Sequence, residues 1–136
     1  SDMFNLPYHS VCTTSTHDMT PLRNWWKEDP EKTQRYYNHV LQRIGEAPDE
    51  CTAEIVAQII SNHLKTRSML TIIPLQDWFA MDDSIKRKDI ESERINVPAN
   101  STHYWRYRMH ITLEQLLQAD NLNNKIVSLI KEAGRK

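Results

Sequence analysis

The residues His17-Asp18 put an imidazole and a carboxylate where the run Val11-Cys12-Thr13-Thr14 breaks into a helix opening at Thr20-Pro21. Turns at the carboxyl ends of strands are where α/β folds keep their chemistry. A second carboxylate stands in the same kind of place: Gln76-Asp77 follows the apolar run Met69-Leu70-Thr71-Ile72-Ile73 and Pro74. Two carboxylates on one rim invite a chemical reading. A third segment, from Ile95-Asn96-Val97-Pro98 to His103-Tyr104-Trp105-Arg106-Tyr107-Arg108, combines amides, aromatics and arginines. These residue types hydrogen-bond sugar hydroxyls or stack on flat faces.

Each feature also has a bland explanation. Asp18 could close an Asx-turn or help cap a helix, and Asp77 could be an ordinary N-cap after a strand. Trp25-Trp26 reads as packing, because adjacent helical residues face different directions and one must turn inward. The segment ending at Arg108 could dock through Trp105 and Tyr107 while Arg106 and Arg108 pair with carboxylates at the rim. His9, His39, His63, His103 and His110 have no i,i+4 spacing with one another, so metal binding has no support, and no cofactor is expected.

The elements that must hold these residues follow from local grammar. The β-branched run predicts a strand over 11–14, and Thr20 with Pro21 predicts an N-cap and first helical position. Asp29-Pro30 restarts a second helix, which carries Tyr36, Tyr37, Val40, Leu41 and Ile44 at helical spacing until Gly45 ends it. A third helix, over about 52–66, has one apolar stripe of Ile55, Val56, Ile59, Ile60 and Leu64. The run 69–73 then predicts a strand buried on both faces of a parallel sheet. Two strands separated by helices make a β-α-β unit. The charged, aperiodic stretch 82–100 reads as a long surface excursion. Thr112-Leu113-Glu114-Gln115 is a capping-box pattern, and Ile126, Val127, Leu129 and Ile130 define a last helix running toward Gly134.

Size and charge narrow the options. The 136 residues are one domain's worth but well short of a (β/α)8 barrel at ~250 residues. A net charge of −1 without a polybasic run argues against a nucleic-acid partner. No apolar run approaches the ~20 residues of a membrane span, so no membrane is expected. Cys12 and Cys51 suit neither zinc nor a disulfide framework, which points to a reducing, intracellular setting and a cytoplasmic placement.

Taken together, Thr16-His17-Asp18 with Leu22-Arg23-Asn24-Trp25-Trp26, Pro74-Leu75-Gln76-Asp77, and Ile95-Asn96-Val97-Pro98 leading to Tyr104-Trp105-Arg106-Tyr107-Arg108 resemble the C-terminal part of a 4-α-glucanotransferase. This is the amylomaltase or disproportionating-enzyme family, glycoside hydrolase family 77. The wording is most similar to its plant cytosolic branch and the bacterial relatives of that branch. The resemblance runs from about Leu6 onward and implies α/β architecture: residues 1–136 would be the last two β/α units, about a quarter of a (β/α)8 TIM barrel, helix-rich as an isolated chain.

The implied activity is transfer of glucosyl or α-1,4-glucan units among maltose, maltodextrins and glycogen- or starch-like acceptors, with retention through a glucosyl-enzyme intermediate. Asp18 would be the transition-state stabiliser of the catalytic set, with His17 bonding the same sugar. Asn96, Gln76 and Asp77 would bind substrate. The nucleophilic aspartate and the acid/base glutamate belong to earlier strands, so the segment alone is expected to be inactive. Its partners would be α-1,4-glucans and the rest of the barrel, and the open strand edges predict self-association of the isolated segment. Where many amylomaltases have Gly-Thr-His-Asp-Asn this chain has Ser15-Thr16-His17-Asp18-Met19, and Ala99 replaces a glycine. Two other classes stay open: a non-catalytic carbohydrate-binding or interaction module built on the segment around Trp105, and a helical nucleic-acid binder.

Overall fold

The computed structural model describes residues 3–135. A short 3-10 turn (Met3–Asn5) leads into β1 (Val11–Thr13), which pairs in parallel with β2 (Leu70–Ile72), Val11 opposite Leu70 and Thr13 opposite Ile72. Between them run α1 (Leu22–Glu28), α2 (Pro30–His39) and α3 (Ala53–Leu64). After β2 come α4 (Leu75–Phe79), a 3-10 turn (Glu91–Glu93) within an otherwise irregular excursion, α5 (Leu113–Leu117) and α6 (Asp120–Glu132). This is the expected β-α-β crossover, and both strands run the same way, so the loops after them leave from one edge. Among the described residues no helix is long and apolar enough to cross a membrane.

Local signals explain most of these elements. Asp29 accepts from the Lys32 N–H and Thr52 from the Ile55 N–H, capping α2 and α3. Thr112 and Gln115 form the reciprocal capping box that their spacing predicts. The stripe on α3 is the centre of the core: Ile55, Val56, Ile59, Ile60 and Leu64 are buried together with Leu22, Trp26, Phe79 and Leu122. Each such side chain contributes about 2 kcal/mol by leaving water. Trp26 is fully buried and donates its indole N–H to the Pro48 carbonyl, while Trp25 packs edge-on to Tyr36 at 5.1 Å between ring centroids. The adjacent tryptophans are therefore packing residues.

Three expectations are corrected. Thr20 is not the N-cap of α1; Pro21 occupies that position without a side-chain bond. The Leu22 N–H is satisfied from outside by the Asp77 carboxylate at 2.9 Å. The second helix stops at His39 instead of Ile44, because Gln42 takes a left-handed φ of 54° and the Arg43 N–H reaches back to the Tyr37 carbonyl. That turn tucks Leu41 into the core and leaves Ile44 97% exposed. Finally, β2 is covered on one face only. Cys12 faces the helices, whereas Val11, Leu70 and Ile72 are exposed on the other side. A strand alternates its side chains, and only one of its faces has helices here.

The end of the C-terminal helix is clamped by Arg135, in addition to the apolar packing of Leu122 and the Lys125 bond to the Met81 carbonyl. Arg135 donates to the carbonyls of Leu64, Thr66, Ser68 and Met69, joining the end of α6 to the loop between α3 and β2. Arg135→Ala is expected to cost about 2 kcal/mol, because charge-assisted bonds to several carbonyls are lost at once. Arg135→Lys should recover less than half of that, since an ammonium lacks the planar fork. Thermal denaturation of the intact protein checks both, and equal stability of the three proteins would refute the clamp.

Candidate functional site

The two parallel strands deliver the candidate residues to one edge. After β1 the chain turns at 16–19, closed by the Met19 N–H on the Thr16 carbonyl, and presents His17 and Asp18 with half-exposed side chains. His17 Nε2 lies 3.1 Å from Asp18 Oδ2. Asn96 Nδ2 donates to Asp18 Oδ1 at 2.7 Å, across 78 residues of sequence. Trp105 adds its ring to the group, 5.2 Å from the imidazole between centroids, and its indole is 60% exposed. Among the described residues no backbone N–H donates to Asp18. Neither an Asx-turn nor a helix cap accounts for it.

His17 lines a cavity of about 370 Å3 that opens between the strand ends. Its walls are mainly apolar, from Val11, Met19, Pro21, Ile72, Pro74 and Ile95, and Gln76 and Glu93 provide polar groups. Gln76 is buried and donates to the backbone carbonyl of Glu93 at 3.2 Å, which fixes the loop that carries Asn96. Gln76 thus reaches the site both as a lining residue and as a brace.

Asp77 lies in the interior and not on the open rim. It is 1% exposed and its carboxylate is fully engaged: Oδ1 takes the Leu22 N–H, and Oδ2 takes the hydroxyls of Thr14 at 2.6 Å and Ser15 at 3.1 Å. Burial pushes its pKa above the usual aspartate range, against the lowering effect of those three bonds. Asp77 therefore ties the β1 turn, the start of α1 and α4 together beneath His17 and Asp18. The alternative pairing of Arg106 and Arg108 with rim carboxylates is not found among the described residues, and Arg106 lies over the Tyr104 ring.

Glu93 escaped the sequence reading. It is 3% exposed, and its Oε2 has no hydrogen-bond partner among the described residues. Burial raises its pKa, opposed by the charges of Arg87, His110 and Arg23. In the sequence it is one of many acidic residues in an aperiodic stretch, and no local pattern distinguishes it. Cys51, by contrast, is a poor nucleophile, since burial drives its thiol to about 12. Among the described residues no cluster of His, Cys, Asp and Glu could hold a metal ion.

A carboxylate oriented by an amide, beside an imidazole and an exposed indole at strand carboxyl ends, is suited to hold sugar hydroxyls. A sequence profile of the family described as 4-alpha-glucanotransferase matches residues 1–114. The chain belongs to the 4-alpha-glucanotransferase family. Among relatives, it is 39% identical over 128 residues to "4-alpha-glucanotransferase DPE2" of Oryza sativa subsp. japonica, an alignment covering 94% of this chain and 14% of that protein. It is 31% identical over 123 residues to the 4-alpha-glucanotransferase of Chlamydia trachomatis serovar D, with 88% and 22% covered. The structure of an amylomaltase from Streptococcus agalactiae in complex with acarbose superposes with a TM-score of 0.71 at 18% identity, covering 98% of this chain and 23% of that one. That likeness supports the fold, an α/β segment of the glucanotransferase architecture. The chain spans less than a quarter of each of these proteins.

Proposed function

We propose that the complete protein carrying this segment is a 4-alpha-glucanotransferase that moves glucosyl or α-1,4-glucan units between maltose, maltodextrins and glycogen-like acceptors by retaining double displacement. The observation that carries this reading is the 2.7 Å bond that unites Asp18 with Asn96 at the carboxyl edge of the sheet. A retaining reaction passes through an oxocarbenium-like state, and hydrogen bonds to the sugar's hydroxyls strengthen as charge develops there. Asp18 accepts from the hydroxyls of the reacting glucose and opposes that charge. Asn96 fixes the carboxylate's rotamer and offers its amide to the same sugar, and His17 adds a further hydrogen bond. The nucleophile and the acid/base group come from the remaining barrel strands, so the segment alone does not turn over.

The outer hydrogen-bonding edges of β1 and β2, unpaired among the described residues, are where the remaining barrel strands add, and the same edges make the isolated segment self-associate. Cys12 and Cys51 are both free and buried, in keeping with a cytoplasmic setting. Incubating the complete protein with maltose tests the activity. Free glucose and longer maltodextrins should appear together. Glucose without longer products would indicate a hydrolase, and neither product would refute the proposal.

A further inference from the structure

We propose that Glu93 is a specificity-determining residue of the sugar site, accepting hydrogen bonds from hydroxyls of the glucosyl unit held beside Asp18. This rests on the glucanotransferase reading and extends it to a residue outside the His17, Asp18 and Asn96 group. Glu93 lines the same cavity as His17 and Gln76, in a wall that is otherwise largely apolar. The residue is 3% exposed, yet among the described residues Oε2 meets no donor. A buried carboxylate oxygen without a partner is costly, and native structures keep one where a ligand, water or neighbouring group completes it. No ion pair among the described residues claims it, although Arg87, His110 and Arg23 are near enough to act on it electrostatically.

Its position is built. Gln76 holds the Glu93 backbone carbonyl at 3.2 Å, and three residues on, Asn96 bonds Asp18 at 2.7 Å. One loop therefore carries an acceptor into the cavity wall and an amide to the rim. A carboxylate offers several lone pairs to O–H donors, and glucose presents adjacent hydroxyls. An apolar wall with a few convergent polar groups is the usual make-up of a site that orients a small ligand. Were Oε2 completed by a trapped water or by a cation from another barrel strand, KM for maltose would not respond to the Glu93 substitutions.

The test uses the complete enzyme with Glu93→Gln and Glu93→Ala, assayed with maltose and with maltoses lacking one hydroxyl of the donor glucose at a time. Glu93→Ala should raise KM for maltose at least tenfold with kcat within threefold, and Glu93→Gln, which keeps one acceptor oxygen, should fall between. One deoxy-maltose should show the same penalty with wild type, and the alanine variant should add nothing further with that substrate. An unchanged KM overturns the assignment. So does an equal penalty on every deoxy substrate, or a loss confined to melting temperature, as expected of a strut or a cation partner. If the wild type performs no transfer, the glucanotransferase reading falls, and Glu93 is judged on calorimetric titration with maltodextrin. There an unchanged Kd, or no binding by the wild type, overturns it as well.

Discussion

Asp18→Ala in the complete enzyme is expected to lower kcat for transfer from maltose about a thousandfold, a loss of about 4 kcal/mol, while KM moves by less than about threefold. A glucose hydroxyl bonds to an acceptor in the ground state almost as well through water, whereas the charge at the anomeric centre exists only near the transition state. A carboxylate placed to oppose that charge therefore acts on turnover more than on affinity. Asp18→Asn keeps the shape and the contact with Asn96 but removes the charge, so it should resemble the alanine variant in kcat. Neither variant should change melting temperature by more than a degree or two, because the side chain is 56% exposed and supports no backbone group. Turnover within tenfold of wild type would remove Asp18 from the catalytic set, whatever the binding data showed.

Why His17 and Asp18 were legible and Glu93 was not is a matter of range. The β1 turn is written in neighbouring residues: a β-branched run, a polar turn, then a proline and an apolar helix. The same holds for α3, whose stripe and Thr52 cap lie within one short window, and for the Thr112–Gln115 box. The early end of α2 is not legible because the left-handed Gln42 lies between two helix formers and leaves no periodic mark, so Ile44 fits the apolar stripe although the chain has already turned. Asp77 was readable as a rim carboxylate but not as an interior one. Its burial depends on Thr14 and Ser15, more than 60 residues earlier, arriving by strand pairing. Glu93 likewise acquires meaning only when Gln76 bonds its carbonyl. The exposed face of β2 could not be seen in its apolar composition, which is the same whether the covering layer is helices or other strands of a barrel.

Asp77→Ala is the change with the largest expected effect on stability, about 4 kcal/mol, a large fraction of the total stability of an ordinary protein. It strands the Leu22 N–H inside the protein and deprives the Thr14 and Ser15 hydroxyls of their acceptor, in addition to leaving a void. Transfer should be lost with it, since the turn that presents His17 and Asp18 hangs from those bonds. Asp77→Asn separates the hydrogen bonds from the charge. Its carbonyl still accepts from Leu22, and the two hydroxyls can reverse to accept from its amide. The pH dependence then follows from the direction of the shift. The folded-state pKa of Asp77 is raised above its ordinary value of 3.8, with burial the largest cause. The folded protein accordingly holds this proton more tightly than the unfolded chain, and the group's favourable contribution is complete below the unfolded pKa and lost as pH rises through the folded one. Wild type should lead the asparagine variant by most at and below about pH 4, with the gap narrowing as pH rises through the folded-state pKa. Melting curves of both proteins across that range check it. A gap that widens with pH would mean that Asp77 is stabilised as the anion, with its three donors outweighing desolvation.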